Sequence, residues 1–422
     1  MRVWALLVLA SAARAQSPVH LSLRQAIETA LRQNPSVAAA RHELEGADAR
    51  IREVRAGYYP QVGFNGIAKA GLSGATNALG LVGLPASPLY RNVADSLNVS
   101  QSVFDFGRIK HQLAQARKLR DAAECDVAAV EADVTVEVER AFYGLLRAQR
   151  LRDVAIEMVR AREATVRQAQ ALYEGQMRSR VDLDLARANL ASAQLVATEA
   201  DNATRIAVAK LGQALGAAQD GEYQLEPPEA TLPEVEPIAA LVEEALRTRP
   251  ELRSLDFEHQ GDEERLEFTR SQKKPLLNLV FTGGYARFTN VLARELLATG
   301  AGLALPLFTG GRIEGQEEEA QAQLRSLESR QESLRQHVSL EVRSAWFQLK
   351  NAIDARPMFQ LQVQAARNAV RLADERYRER LGSFVDLTAA QSSFAEASAG
   401  EAVGFYDVKL AEAELRRAVG RP

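Results

Sequence analysis

The chain has 422 residues, 46% of them hydrophobic but only 6% aromatic, with a formal net charge of −3. Ala, Val and Leu therefore carry most of the apolar content, a mix suited to long packed helices. The slightly acidic balance argues against a nucleic-acid-binding protein, which shows a basic domain. A single cysteine, Cys125, excludes an internal disulfide, a CxxC pair and a cysteine zinc site; the five histidines (His20, His42, His111, His259, His337) are scattered, and no phosphate-loop or nucleophile-elbow segment is present.

In chain order, Arg2, the apolar run Val3–Ala10 and Ala13-Arg14-Ala15 read as an export signal over residues 1–15, so the mature chain is expected to start at Gln16. No cysteine at that point offers a lipid anchor. No later run of ~18 or more apolar residues predicts a transmembrane helix, which leaves an exported chain that is soluble or inserted as a β-barrel.

The rest is a tandem repeat. Glu28, Ala30, Leu31, Arg32, Pro35, Arg50 and Pro60 recur as Glu243, Ala245, Leu246, Arg247, Pro250, Arg265 and Pro275. At a second offset, Phe104, Gly107, Arg108, Ile109 and Tyr173, Ser179, Val181, Asp182, Leu183 recur as Phe308, Gly311, Arg312, Ile313 and Tyr377, Ser383, Val385, Asp386, Leu387. The first repeat spans 16–226: helices, a strand pair about 58–104 and a long helical hairpin about 107–216. A Pro-rich linker covers 227–237. The second repeat spans 238–422, with a strand pair about 275–308 and a hairpin about 311–419.

Alternation predicts strands over Pro60–Leu72, Ser96–Phe104, Leu276–Arg287 and Gly300–Phe308, each near the ~9–11 residues of a tilted transmembrane strand. Val62, Phe64, Leu97, Val99, Leu277, Leu279, Phe281 and Leu303 are set against Asn65, Lys69, Asn98, Ser100, Asn278, Thr282 and Gly302. The segments Ser73–Tyr90 and Phe288–Thr299 are expected as extracellular loops. On strands alone, a water-filled barrel and a half-buried soluble sheet give the same alternation. Four strands cannot close a barrel whose smallest bacterial form has ~8, and an open edge in lipid leaves backbone groups unpaired, so a membrane reading demands several chains.

Between the strand pairs and the repeat ends, Val127, Val130, Val134, Val138, Ala141, Leu145 and Ala148 trace one narrow seam of a helix about 100 Å long. Its counterpart, Gly311 to Tyr377, carries Pro357, which predicts a kink near Arg356. Return helices are expected over Val181–Gly212 and Phe384–Arg417, with tips near Arg178 and Gly382. Cys125 reads as inert packing, His111 as an exposed polar residue, and Glu317-Glu318-Glu319 as carboxylates favoured at the positive end of a helix.

With this order of motifs, namely Val103-Phe-Asp-Phe-Gly-Arg108, Pro306-Leu-Phe-Thr-Gly-Gly-Arg312, Val181-Asp-Leu183 and Val385-Asp-Leu387, the chain resembles the TolC-type outer-membrane efflux proteins from about Leu21 to Leu415. The resemblance implies a mainly α fold with β: a homotrimeric outer-membrane β-barrel, four strands per chain and twelve in total, continuous with a periplasmic α-helical coiled-coil tunnel. It implies a passive exit duct for a tripartite efflux or type I secretion system. The implied partners are outer-membrane lipid, a periplasmic adaptor (membrane fusion) protein and an inner-membrane pump, with no nucleic acid, cofactor, metal or catalytic residue. The competing reading is a soluble periplasmic coiled-coil adaptor or structural protein.

The resemblance also points to a gate where the hairpins converge. Asp182 and Asp386 stand where similar proteins place tip carboxylates, Asp184 is close by, and Tyr377 matches a tyrosine that holds the hairpins closed. The family's tip arginine in the second hairpin aligns with Gly382, and a second constriction acid aligns with Ala389. Arg178 and Arg180 are the candidates to supply the missing cation. An acid ring in a pore attracts cations, and neutralising Asp386 is expected to raise conductance; solvated turn charges are the competing reading. Met177, Ser179, Leu381 and Ser383 are candidate adaptor-docking residues, whereas Phe384 is expected to pack.

Overall fold

The computed structural model describes residues 19–72, 89–217, 223–228, 231–288 and 291–421. The expected export signal, most of the first loop (73–88) and the side chain of Lys69 lie outside the described residues. In chain order the elements are β1 (Val19–Leu21), α1 (Leu23–Gln33), α2 (Pro35–Arg55), a 3-10 turn (Ala56–Tyr58), β2 (Gln61–Leu72), β3 (Leu89–Phe104), α3 (Arg108–Glu174) and α4 (Arg180–Leu215). Then come β4 (Tyr223–Leu225), α5 (Ile238–Thr248), α6 (Pro250–Ser271), β5 (Leu276–Phe288), β6 (Val291–Ala304), α7 (Arg312–Arg378) and α8 (Phe384–Val419). Both long helices have 67 residues and both return helices have 36. Pro35 and Pro250 each open a helix, where a missing N–H costs nothing. α7 continues through Pro357 as one helix.

The chain divides into two compact units, and each draws on both halves of the sequence. One unit contains residues up to Ala40 together with Val127–Pro250 and Arg335–Pro422. Its main core joins Ala26 and Ala30 of α1, Val134, Val138, Phe142 and Leu145 of α3, Leu211 and Leu215 of α4, and Tyr406 of α8. Tyr143 and Leu146 are buried in it too, so α3 is enclosed on more than the narrow seam expected. The reason is that α1, α4 and α8 all contribute to the core around it.

The repeat reaches the level of single hydrogen bonds here. The Asn34 side-chain amide donates to the Ala214 carbonyl at 3.1 Å, and Arg249, at the matching position, donates to the Ala418 carbonyl at 3.2 Å. Gly216 and Gly420 end α4 and α8 in the left-handed region, at φ 71° and 86°. A Cβ at Gly216 would stand 2.7 Å from the Gln33 carbonyl oxygen and 2.9 Å from the Asn34 Cα. Gly216→Ala therefore combines an unfavourable φ with a backbone collision, and we expect a loss of about 1–3 kcal/mol. Thermal melting of the detergent-solubilised protein checks this as a lowered midpoint. The strands β1 and β4, which pair in parallel from Val19↔Tyr223 to Leu21↔Leu225, are not legible in the sequence because three residues carry no periodicity.

The second unit contains Arg41–Asp126 and Glu251–Leu334. Its sheet is antiparallel, in the order β2-β3-β5-β6. Directly paired residues share a face, so the register Val62↔Val99↔Phe281 and Phe64↔Leu97 places these side chains together, with Leu279, Leu297 and Leu303 on the same face. This apolar face is open: Phe64 is 70% exposed, Leu297 78% and Leu303 71%. The opposite face carries Asn65, Ser96, Asn98, Ser100, Asn278, Thr282 and the glycines Gly300 and Gly302. There the Thr282 hydroxyl donates to Asn98 Oδ1 at 2.8 Å and Asn98 Nδ2 donates to the Ser96 hydroxyl at 3.2 Å. A bulge between Ser102 and Phe104 breaks the alternation expected at Val103.

Strand boundaries differ from expectation at three places. β3 starts at Leu89, seven residues before the expected Ser96. β6 starts at Val291, so most of the segment Phe288–Thr299 is strand rather than loop; Arg294 and Glu295 interrupt the apolar pattern that would have revealed it. It also ends at Ala304, two residues before Pro306, which cannot donate to a ladder.

The glycine motif before α3 is a joint. Asp105 accepts from the Gly107 and Ile109 amides at 3.0 and 2.7 Å, and Gly107 takes φ 89°. Arg108 then donates to the Ser271, Gln272 and Lys274 carbonyls at 3.3, 3.1 and 2.6 Å, capping the end of α6. His111 is half-buried rather than exposed, because its Nδ1 lies 2.7 Å from Glu264 Oε2. Glu317 receives Lys273 and Arg270 at 2.8 and 2.9 Å, and these hydrogen bonds hold its carboxyl below the usual carboxylate range. It therefore acts as an ion-pair acceptor more than as a helix-end charge. Cys125 is buried, as expected. Among the described residues no helix is long and apolar enough to cross a membrane.

Candidate functional site

The tips of the two hairpins fall in the first of these units, and each is built by the same turn. After α3 the Gln176 amide donates to Tyr173 O at 2.9 Å and the Met177 amide to Leu172 O at 2.8 Å; after α7 the Arg380 amide donates to Tyr377 O at 3.2 Å and the Leu381 amide to Arg376 O at 2.8 Å. Such paired bonds close a helix through a left-handed residue. Here that residue is Gln176 (φ 55°) and Arg380 (φ 63°), not glycine. Serines then open the return helices. The Ser179 hydroxyl accepts from the Val181 amide at 3.2 Å. Ser383 and Asp386 form a reciprocal capping box, with the Asp386 amide 3.0 Å from the Ser383 hydroxyl and the Ser383 amide 3.3 Å from Asp386 Oδ2.

The turns match, but their environments do not. Tyr173 is 39% exposed, whereas Tyr377 at the equivalent position is fully buried, at 0%. Tyr377 sits in a small core with Ala169, Leu183, Ala186, Phe384 and Leu387. Its ring meets Phe384 edge-on at 5.8 Å, so Phe384 packs as expected. Burial pushes the Tyr377 phenol above its ordinary range; the Asp182 charge adds to this and Arg178 opposes it. Among the described residues its hydroxyl has no hydrogen-bond partner.

Arg178 closes over this core from the first hairpin. Its guanidinium carbon lies 4.8 Å from the Tyr377 ring centre. Its Nη2 donates to the Gly382 carbonyl at 3.0 Å and, more weakly, to the Tyr377 carbonyl at 3.4 Å. One cation thus engages the ring face and the backbone of the opposite tip. Sequence reasoning singles out Arg178 as the substitute for the arginine that Gly382 replaces. It points the group at a carboxylate, whereas the acceptors are carbonyls, which leave no trace in sequence.

The other candidates are dispersed around this clasp. Arg180 lies 3.5 Å from Asp184, and Arg187 lies 3.9 Å from the same carboxylate. Asp182 is half-buried on the first turn of α4, and Asp386 is exposed at the start of α8. Met177 and Leu381, at matching positions of the two turns, are exposed, as are Ser179 and Ser383. Arg380 reaches across to the Met177 sulfur, a contact between the tips that the sequence does not signal. Among the described residues no cluster of three or more histidine, cysteine or acidic side chains is arranged to hold a metal ion. The contacts that join the two tips are those of Arg178 with Tyr377 and Gly382 and of Arg380 with Met177.

The sequence pattern of the family described as "Outer membrane efflux protein" matches residues 26–217 and 241–421. Protein CyaE of Bordetella pertussis is 26% identical over 314 residues, covering 72% of this chain and 64% of that protein; the chain thus spans under two thirds of the length of this relative. The Campylobacter jejuni CmeC outer membrane channel superposes with a TM-score of 0.82 at 17% identity, over 94% of this chain and 85% of that one. The outer membrane protein VceC of Vibrio cholerae superposes with a TM-score of 0.78 at 19% identity, over 94% of this chain and 96% of that one.

Proposed function

The chain belongs to the outer membrane efflux protein family, and from that premise we propose that it is a passive exit duct, fed by an inner-membrane pump through a periplasmic adaptor, for efflux or type I secretion. The observation that carries this reading is the four-stranded sheet. One face is apolar and open, the other is small and polar, and β2 and β6 lie at its two ends. In lipid those end strands need partners. Three copies joined end to end supply twelve strands, enough to close a barrel with the polar face on a water-filled lumen.

In this reading the hairpins converge on the periplasmic gate. Arg178 holds the tips of one chain together through Tyr377 and Gly382, and Asp182, Asp184 and Asp386 give the constriction a cation-attracting rim, with Arg180 partly neutralising Asp184. Asp386 plays two parts, since the carboxylate that faces the pore also caps α8. Met177 and Leu381, with Ser179 and Ser383, form the surface offered to an adaptor.

The test is light scattering of the detergent-extracted protein, followed by recording in planar bilayers. The expected result is a three-chain protein mass in the outer-membrane fraction and a steady ion conductance. A monomer that stays in solution without detergent overturns the reading in favour of a soluble sheet with helical hairpins.

A further inference from the structure

Arg162 of α3 is a buried cation without a counter-charge. It is 6% exposed. Its Nη1 donates to Gln391 Oε1 and its Nη2 to the Ser392 hydroxyl, the latter at 3.1 Å, and both acceptors stand on α8. Both are neutral, and among the described residues no carboxylate lies within ion-pair distance of Arg162. Burial pulls the guanidinium below the ordinary arginine range, with no neighbouring charge to oppose the shift. A buried charge left unpaired is costly, and the guanidinium fork carries more N–H donors than the two in use. The helical packing does not require a cation here. The matching position of the second repeat is Ala366, which lies in a small apolar core with Val363 and Ala397.

Arg162 stands in the wall between two cavities. One, of about 770 Å³, lies among α3, α4 and α8 and is walled mainly by apolar groups, Leu151, Val154, Met158 and Val196 among them. The other, of about 500 Å³, lies among α3, α7 and α8 and reaches Val370 and Phe394. Val154, Met158, Arg162 and Ala395 line both, so the two adjoin. Each volume falls within the ~300–1,000 Å³ of small-molecule sites, whose apolar walls carry a few polar groups that orient the ligand. The other charges of the walls face water or are paired. Glu199, Glu396, Asp153, Glu157 and Arg150 are exposed, and Arg147 lies 3.6 Å from Asp407. Arg162 is thus the buried charge of both walls.

We propose that these adjoining cavities bind an amphipathic anion, a carboxylate on a saturated chain of the fatty-acid kind, with its headgroup on Arg162 and its chain along Leu151, Val154, Met158 and Val196. The anion supplies the charge that the surrounding side chains withhold, and its two oxygens suit the planar fork of the guanidinium. The unbranched side chain of Met158 adapts to a flexible ligand. A neutral apolar ligand would fill the same space but leave the cation uncompensated, and a cationic amphiphile would bring repulsion to it. The site lies within one chain. It therefore stands apart from the duct reading and needs neither a barrel nor a gate.

The experiment measures binding of radiolabelled laurate to the whole protein in lipid nanodiscs by equilibrium dialysis, with empty nanodiscs as the blank and dodecyltrimethylammonium as a cation of the same chain length. Saturable binding of laurate is expected, with the cation at least about tenfold weaker. Arg162→Gln is expected to weaken laurate at least about tenfold and to leave the cation no weaker. A neutral side chain is tolerated at the matching Ala366, and an unchanged protein mass by light scattering shows that the variant is assembled. Ala395→Leu narrows both cavities with the charge in place and is expected to weaken both amphiphiles. Laurate binding that is absent, that the cation equals, or that survives Arg162→Gln unchanged overturns the site. A lowered mass in Arg162→Gln, without saturable laurate binding to the unaltered protein, assigns the groove to a second copy of the chain and likewise overturns it.

Discussion

Arg178→Ala is expected to convert a mostly closed channel into a leaky one. Charge-assisted hydrogen bonds contribute ~1.5–3 kcal/mol each and a cation–π contact ~0.5–1 kcal/mol at an exposed site. The weaker 3.4 Å bond and partial exposure of the tip discount the total. A net loss of about 2 kcal/mol shifts the closed-to-open ratio roughly thirtyfold. The effect is read as raised conductance in planar bilayers. Arg178→Lys keeps the charge but not the planar fork, and is expected to recover only part of the closure. Because the acceptors are carbonyls, the closing contact is expected to persist in Asp182→Asn, read as an unchanged closed-state conductance in planar bilayers. A clasp that opens in that variant would show that the Asp182 carboxylate, and not the backbone, is the dominant partner.

The second large effect concerns the sheet. Phe281→Arg places a charge on the apolar face, in register with Val99 and Thr299. On the lipid side of a barrel this costs about 2–4 kcal/mol per chain near the midplane, and closure by three copies applies the penalty three times. The trimer is expected to be lost or poorly inserted. Thr282→Arg, one residue away and paired with Asn98 and Ala298 on the polar face, is expected to assemble normally and shift ion selectivity toward anions. Equal damage from both substitutions would mean that the two faces meet the same surroundings, and the lumen assignment would fall.

The parts of the fold that can be read from the sequence are those with long, regular signals. Sixty-seven-residue helices without an interior break, or with one proline, announce themselves, as do strands whose apolar side chains alternate with Asn and Ser. The repeat then doubles every observation. What stays hidden is short or non-periodic. β1 and β4 have three residues each. β6 begins among charges, and the bulge at Ser102–Phe104 is a matter of pairing rather than composition. At the tips, Tyr377 and Arg178 are legible as candidates, but the target of Arg178 is backbone. The capping role of Asp386 is present in the spacing from Ser383, a Ser-x-x-acid pattern, yet the same carboxylate also fits a pore rim, and spacing alone does not separate the two.

The interleaving of the halves has a consequence for how the protein is made. The first compact unit needs residues up to Ala40, the middle segment Val127–Pro250 and the last segment from Arg335 onward. Arg140 waits for the Glu414 carboxylate 274 residues downstream, and Glu139 for the Arg416 guanidinium 277 residues downstream. Neither repeat can finish folding as it leaves the translocation machinery, since its core is completed by the other. Contacts this distant in sequence make for slow folding, and slow folding with the open apolar strands of the sheet invites aggregation. The nascent chain therefore has to be shielded in transit until its final helix arrives, so synthesis of this protein places a standing demand on chaperones for nearly its whole length.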